Sequence, residues 1–136
     1  MDGHDVDFAA TGRHLKITGD GTLAGLDVAT GAEGLVIAAG ATGYFFLPAT
    51  GAQTITALLK ATFPGAAPTV TLVPTLLDHQ TPQYGATAAT PSGAPATGTG
   101  FAVQYTGNVG AEGCLLTIVA AAASAVTLQT AEYLAL

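Results

Sequence analysis

Charged residues are scarce in this chain. Of 136 residues only 12 are charged, 3 Lys or Arg and 9 Asp or Glu, whereas about a quarter of an ordinary globular chain is charged. Eight of the 12 lie within the first 33 positions, so the remaining 103 residues carry four. A monomeric protein normally keeps itself soluble with many mixed surface charges. This scarcity favours a domain whose surface contacts other proteins.

The few basic residues exclude two classes of partner. Binding to nucleic acid requires clustered Lys and Arg, and this chain has 3 such residues and a net charge of −6. Attraction to anionic lipid fails for the same reason. The longest apolar run, "CLLTIVAAAASAV" at 114 to 126, is shorter than the roughly 20 residues of a membrane-spanning helix and is expected in the core. We expect neither a nucleic acid nor a membrane partner.

Cysteine and targeting signals are nearly absent. Cys114 is the single cysteine, which excludes an internal disulfide. Its neighbours Gly113 and Leu115 offer no base or positive charge that would activate a thiol, so we expect it to be buried as a small hydrophobic side chain. The N-terminal sequence "MDGHDVDF" is acidic and lacks the basic and apolar regions of a signal peptide. We expect synthesis and assembly in a cytoplasm.

Residues for nucleophilic or acid–base catalysis are also few. The only serines, Ser92 and Ser124, lie in a Pro-rich stretch and an alanine run without a supporting motif. His79 next to Asp78 could form an acid–base pair, but adjacent residues of an extended strand point to opposite faces. A polar pair at the edge of a loop is the favoured interpretation.

The sequence gives little support for a catalytic pair of carboxylates or for a metal site. A glycoside-cleaving pair would combine an Asp with Glu33, Glu112 or Glu132, and the sequence places no two of them together. An oxygen-rich cluster occurs in "DGHDVD", where the candidate ligands are Asp2, His4, Asp5 and Asp7. Its spacing departs from that of a calcium-binding loop, which favours an acidic chain terminus. We expect no catalytic residue, cofactor or metal, and therefore no enzyme.

Small side chains and glycine-rich turns dominate what is present. The chain has 28 Ala, 21 Thr and 18 Gly residues, a composition that suits closely spaced sheets. Turn signals such as "TGDG", "ATGAEG" and "FPGAAP" separate short runs of β-favouring residues. The weaker of these runs are "HLKIT", "LAGLDV", "GLVIA", "GYFFLP", "TVTLV", "CLLTIV" and "AVTLQT". This pattern predicts about eight or nine short strands.

Two stretches show clear alternation with period two. In "QTITALLKATF" one predicted face holds Ile55, Ala57, Leu59, Ala61 and Phe63, and the other holds Thr54, Thr56, Leu58, Lys60 and Thr62. In "FAVQYT" the residues Phe101, Val103 and Tyr105 face away from Ala102, Gln104 and Thr106. The run "AAAASA" at 120 to 125 has high helix propensity, but its β-rich flanks favour a strand, a turn and a strand.

The chain is read as a single domain over 1–136, with an N-terminal arm at 1–12 and a long loop at 79–100. That loop, "HQTPQYGATAATPSGAPATGTG", breaks all periodicity and contains three prolines. Loops of this length in compact domains are usually binding elements or mobile segments. The predicted fold class is all-β, an antiparallel β-sandwich with jelly-roll or Ig-like connectivity, whose long loop connects two strands across the outside of the sandwich.

The sequence as a whole resembles small Ala/Thr/Gly-rich β-sandwich structural proteins of tailed bacteriophages, and most of all capsid decoration or cement proteins. The resemblance is carried by the acidic N-terminus, by "GYFFLPATGAQTITALLKATFPGAAPTVTLVPTLLD" and by "FAVQYTGNVGAEGCLLTIVAAAASAVTLQT". It implies a non-enzymatic virion protein on the capsid exterior that binds the major capsid protein and bridges capsomers. Dimers or trimers of the chain itself are expected as well.

Two alternatives stay open beside a cement protein. One is a tail, neck or fibre component of the same type of particle. The other is a carbohydrate-binding module, which exposed tyrosines and the long loop would support. The predicted contact residues are those of the uncharged strand face, the loop and the arm: Thr54, Thr56, Leu58, Tyr84 and Phe8.

Overall fold

The computed structural model describes residues 13–107 and 112–136. Phe8, the arm at 1–12 and the acidic cluster within it therefore lie outside the described residues. The strands, in chain order, are β1 (Arg13–Lys16), β2 (Val36–Ile37), β3 (Thr42–Pro48), β4 (Thr54–Thr62), β5 (Thr69–Pro74), β6 (Phe101–Thr106), β7 (Gly113–Val119) and β8 (Val126–Ala135).

The strands form two antiparallel sheets. The larger has the order β1-β8-β4-β6, with β2 also paired to β8, and the smaller has the order β3-β7-β5. The segment 75–100 contains isolated bridges but no strand, and it carries the chain from β5 of the smaller sheet to β6 of the larger. The predicted all-β antiparallel sandwich is confirmed.

The main core lies between the sheets, and every strand from β2 to β8 contributes buried residues to it. From β1 the partly buried Leu15 packs against this core. The predicted inner face of β4 is confirmed, since the exposure of its five residues, from Ile55 to Phe63, does not exceed 8 %. The alternation of β6 is confirmed too, because Val103 is buried while Ala102 and Gln104 are exposed. Alanines at 57, 61, 131 and 135 belong to this core. Their small side chains keep the sandwich thin.

A second, smaller apolar cluster covers the outer face of the three-stranded sheet. It consists of Leu26, Phe46 and Leu115, with Tyr44 packed against it. Phe46 faces outward between the inward-facing Phe45 and Leu47, and Leu26 of the preceding turn covers it. Both faces of β3 are therefore buried near its middle.

The predicted strand "LAGLDV" at 23–28 is wrong, because this segment forms turns. Local hydrogen bonds replace ladder pairing. The Asp20 carboxylate accepts the Thr22 N–H at 2.9 Å, the Gly25 N–H donates to the Thr22 carbonyl, and the Val28 N–H donates to the Gly25 carbonyl. Asp side chains favour such turns by binding the backbone two residues on. The buried Leu26 anchors the turn to Phe46.

The alanine run joins β7 to β8 as predicted, with a turn closed by a bridge between Ala121 and Ser124. Tertiary pairing on both sides overrides the helix propensity of these alanines. No helix that could span a membrane occurs in the part of the chain that the structure describes.

Candidate interaction surface

The outer side of the five-stranded sheet forms a surface around β4, here called the β4 face. Its members alternate with the buried residues of β4 or lie beside them on β6 and β8. They are Thr54, Thr56, Leu58, Lys60, Thr62, Ala102, Gln104, Thr106, Thr130, Glu132 and Leu134. The predicted contact residues of β4 thus share one face. Lys60 and Glu132 are the two charged residues among these eleven.

Strand register fixes the neighbours of the central residues. Leu58 lies opposite Ala102 on β6 and opposite Glu132 on β8. Thr56 lies between Gln104 and Leu134, and the Gln104 Nε2 donates to the Thr56 Oγ1 at 3.0 Å. A shallow groove of about 450 Å³ runs along this side of the sheet, lined by Leu58, Leu59, Lys60, Gly100, Phe101, Ala102 and Thr130. Small and apolar side chains therefore dominate the centre of the β4 face.

Charges gather at the β1 edge of the same sheet. The Lys16 Nζ donates to Glu33 Oε2 and to Glu132 Oε2, each at 3.0 Å, and His14 pairs with Glu132. Bonds to Glu132 and Glu33 raise the pKa of Lys16 above its ordinary value. Bonds from Lys16 and then His14 lower the pKa of Glu132, and the Lys16 ammonium lowers the pKa of Glu33. Glu132, which lies on the β4 face, is thereby paired with Lys16 and His14 of the edge strand β1.

The outer faces of the two sheets differ in how far other parts of the chain pack over them. On the smaller sheet Leu26 packs over Phe46, and the His79 ring stacks on Phe46 with centroids 3.8 Å apart and an interplanar angle of 5°. No comparable cluster of buried apolar residues lies on the β4 face among residues 13–107 and 112–136. Leu58 and Leu134 are partly exposed on the larger sheet.

Tyr84 lies apart from the β4 face. It belongs to the loop that follows β5 of the smaller sheet, and it is fully exposed. Tyr133, by contrast, is buried at 2 % exposure, and its hydroxyl donates to the Pro48 carbonyl at 2.7 Å. A sugar-stacking platform built from all four tyrosines is therefore not available, because Tyr133 is part of the core.

His79 makes contacts that the sequence did not indicate. Its ring lies between two carboxylates, with Nδ1 3.1 Å from Asp27 Oδ1 and Nε2 2.7 Å from Glu112 Oε1. These partners are 52 and 33 residues away along the chain, so no local motif marks the cluster. His79 also has a φ of 62°, in the left-handed region that few side chains adopt.

Asp78 does not act on its neighbour His79. Its carboxylate accepts N–H bonds from Gln80 at 2.9 Å and Thr81 at 2.8 Å, and it also binds the Thr81 hydroxyl. The bonds from Thr81 and then Gln80 lower the pKa of Asp78 from its ordinary value of 3.8 to about 2. A depressed carboxyl pKa contributes stability above pH about 4, and that contribution is lost as the pH falls towards 2. Asp78 therefore holds the turn, as expected of a polar residue at a loop edge.

No group of three His, Cys, Asp or Glu side chains suited to a metal ion occurs within the described ranges. The sequence placed no two of its glutamates together, but two of them share a partner in the structure. Glu33 and Glu132 meet at the Lys16 ammonium, each accepting one hydrogen bond from it. The lysine holds both carboxylates in an ion-pair network at the β1 edge.

Cys114 is fully buried at the start of β7, and burial raises the pKa of its thiol to about 12. Because the thiolate is the reactive form, we expect no measurable reaction with a thiol reagent such as iodoacetamide in the native protein at neutral pH. The same protein in denaturant should react at once. Rapid stoichiometric labelling under native conditions would contradict the burial of Cys114.

No protein-family model, curated protein or solved structure matches this chain. A function must therefore be inferred from the surfaces of the sandwich themselves.

Proposed function

We propose that this chain is a non-enzymatic structural protein of a tailed bacteriophage particle, a decoration or cement protein that binds the outside of the head and bridges capsomers. The observation that carries the proposal is the β4 face, which is made mainly of threonine and small or aliphatic side chains and has Lys60 and the ion-paired Glu132 as its two charges. Its proposed partner is the major capsid protein. The resemblance of the sequence to phage β-sandwich proteins supports the same role.

The composition of the β4 face suits contact with a repeated protein surface. Threonines and small apolar residues lose little side-chain entropy when they are covered, and the face carries two charged residues, Lys60 and Glu132, of which Glu132 is already paired with Lys16. Leu58 and Leu134 supply apolar area near its centre. Such a face gains free energy mainly by burial and shape complementarity.

A cement protein stabilises a shell through mass action. Any protein that binds only the assembled shell shifts the assembly equilibrium towards it. Because many copies bind to one shell, each copy can bind weakly and bury a modest area. Dimers or trimers of the chain would let one unit span neighbouring capsomers, as the proposed bridging requires.

The proposal is tested on purified particles that contain this chain. Particles stripped of it should lose resistance to heat and to low salt, and adding back the purified protein should restore that resistance. Particle images should place many copies on the exterior of the head. If stripped particles kept their resistance, the cement role would be overturned. If the copies were confined to the tail, neck or fibres, the protein would be a component of those parts and the β4 face would bind there.

A further inference from the structure

A second surface lies on the turn that follows β5, a strand of the smaller sheet. Here Thr75 bridges to Pro82, and the Leu76 N–H donates to the Thr81 carbonyl at 2.8 Å, which closes a tight turn. A groove of about 500 Å³ beside it, here called the Leu77 groove, is lined by Thr75, Leu76, Leu77, Asp78, Gln83 and Glu112.

The turn is held in place although its leucines face water. Leu76 is 50 % exposed and Leu77 is 74 % exposed. The Asp78 carboxylate caps the turn from within, and the His79 ring fixes it to Phe46 and to Glu112. Two adjacent leucines presented on a braced turn form a preorganised apolar surface, whose binding costs little ordering entropy.

The charge around the Leu77 groove is negative. Asp78 and Glu112 line it, and Asp27 lies at the other side of the His79 ring. The three Lys and Arg residues of the chain, at positions 13, 16 and 60, all belong to strands β1 and β4 of the other sheet. Among the carboxylates around the groove, Glu112 and Asp27 pair with His79, whereas Asp78 is bound by Gln80 and Thr81.

One buried polar atom at the groove is unpaired. Thr75 is 1 % exposed and lines the groove, and its Oγ1 has no hydrogen-bond partner in the described part of the chain. Buried hydroxyl groups in native proteins are almost always hydrogen-bonded. Because this oxygen is inaccessible to solvent, a ligand in the groove binds it only once the surrounding side chains have moved.

We infer that the Leu77 groove binds an extended segment of a partner protein in which a large aliphatic side chain lies next to a Lys or Arg. The aliphatic group packs on Leu76 and Leu77, and the basic group pairs with Glu112 or Asp78. The backbone of the segment supplies a partner for the Thr75 hydroxyl after the side chains that cover this oxygen have moved. This binding is a property of the isolated protein and is independent of the role in a phage particle.

Two blocked synthetic peptides test the inference, Gly-Leu-Lys-Leu-Arg-Gly and its acidic counterpart Gly-Leu-Glu-Leu-Glu-Gly. Each is titrated into the full chain at low ionic strength and followed by amide chemical shifts. The basic peptide should bind at least about tenfold more tightly than the acidic one. Its binding should weaken with salt, and the shifts should centre on 75–78, 83 and 112.

Variants then separate specific binding from general attraction to an acidic protein. Leu77→Ala and Glu112→Gln should each weaken binding of the basic peptide by at least about threefold. Val36→Ala is the matched control, because Val36 is likewise an exposed aliphatic residue, at 59 %, on β2. Equal affinity for both peptides, shifts centred elsewhere, or an unchanged affinity of Leu77→Ala would overturn the inference.

Discussion

Replacing Gly113 with Ala is expected to destabilise the protein by about 3 kcal/mol or more, a large part of the roughly 5–15 kcal/mol of a typical domain. Gly113 begins β7 with a φ of 154°. A Cβ atom there would lie 2.1 Å from the Leu47 carbonyl oxygen and 3.0 Å from the Ala49 nitrogen. Both atoms belong to backbone, so neither can rotate away. Thermal unfolding should shift down by roughly 10 °C.

Gly51→Ala provides the matched control for Gly113→Ala. Gly51 also has a positive φ, of 76°, but a Cβ atom there would meet no atom within 4 Å. Its substitution should lower the free energy of unfolding by about 1 kcal/mol, which is the cost of placing a side chain in the left-handed backbone conformation. Equal melting temperatures for the two variants would show that the contact with Leu47 yields easily and that the start of β7 is not tightly held.

A charge placed on the centre of the β4 face is expected to abolish most of the binding to particles. Thr56→Glu introduces a carboxylate between Leu134 and Gln104, where no described charge lies opposite it. Burying that carboxylate unpaired in an interface should cost about 2 kcal/mol or more, which corresponds to roughly thirtyfold weaker binding. Sedimentation of particles with labelled protein measures the loss, and the melting temperature should stay close to that of the wild type.

Register decides which substitution at Leu58 is informative. Leu58 lies directly opposite Glu132, so a glutamate at 58 would also set like charges across two strands and weaken the sheet itself. Leu58→Lys avoids this effect, since a lysine there faces the Glu132 carboxylate. We expect Leu58→Lys to fold normally and to bind particles as poorly as Thr56→Glu.

Thr69→Glu is the control for both charged variants of the β4 face. It makes the same substitution as Thr56→Glu at an exposed strand position, the first residue of β5 in the smaller sheet. It should bind particles like the wild type. If Thr56→Glu and Leu58→Lys also decorated particles normally, the β4 face would not be the contact surface.

The local sequence pattern was sufficient to predict which residues are buried where a strand buries one face and exposes the other. Ile55, Leu59 and Val103 could be assigned to the core because alternate residues of a strand point to opposite sides. The same rule predicted that Thr54, Thr56 and Leu58 share an outer face. It failed at 23–28, where an Asp-capped turn carries apolar residues that pack on another strand instead of pairing in a sheet.

The candidate surfaces were predictable only in part. Composition indicated a neutral contact face, and alternation indicated the residues of β4 that form it. The approach of Glu132 to Leu58, the cover over Phe46 and the position of His79 between Asp27 and Glu112 depend on residues distant in sequence. Tyr84, the predicted contact residue of the loop, lies after β5 of the smaller sheet, and only the tertiary structure shows that this is not the sheet of the β4 face.

The sequence by itself determined the fold class, the inner and outer sides of β4 and β6 and the burial of Cys114. These properties follow from side-chain periodicity and from glycine-rich turns, both of which act over a few residues. Only the tertiary structure decided which strands are neighbours, which sheet face is left uncovered and where the acidic groove lies. Strand order and loop packing depend on the free energy of many long-range contacts taken together, and no short stretch of sequence encodes them.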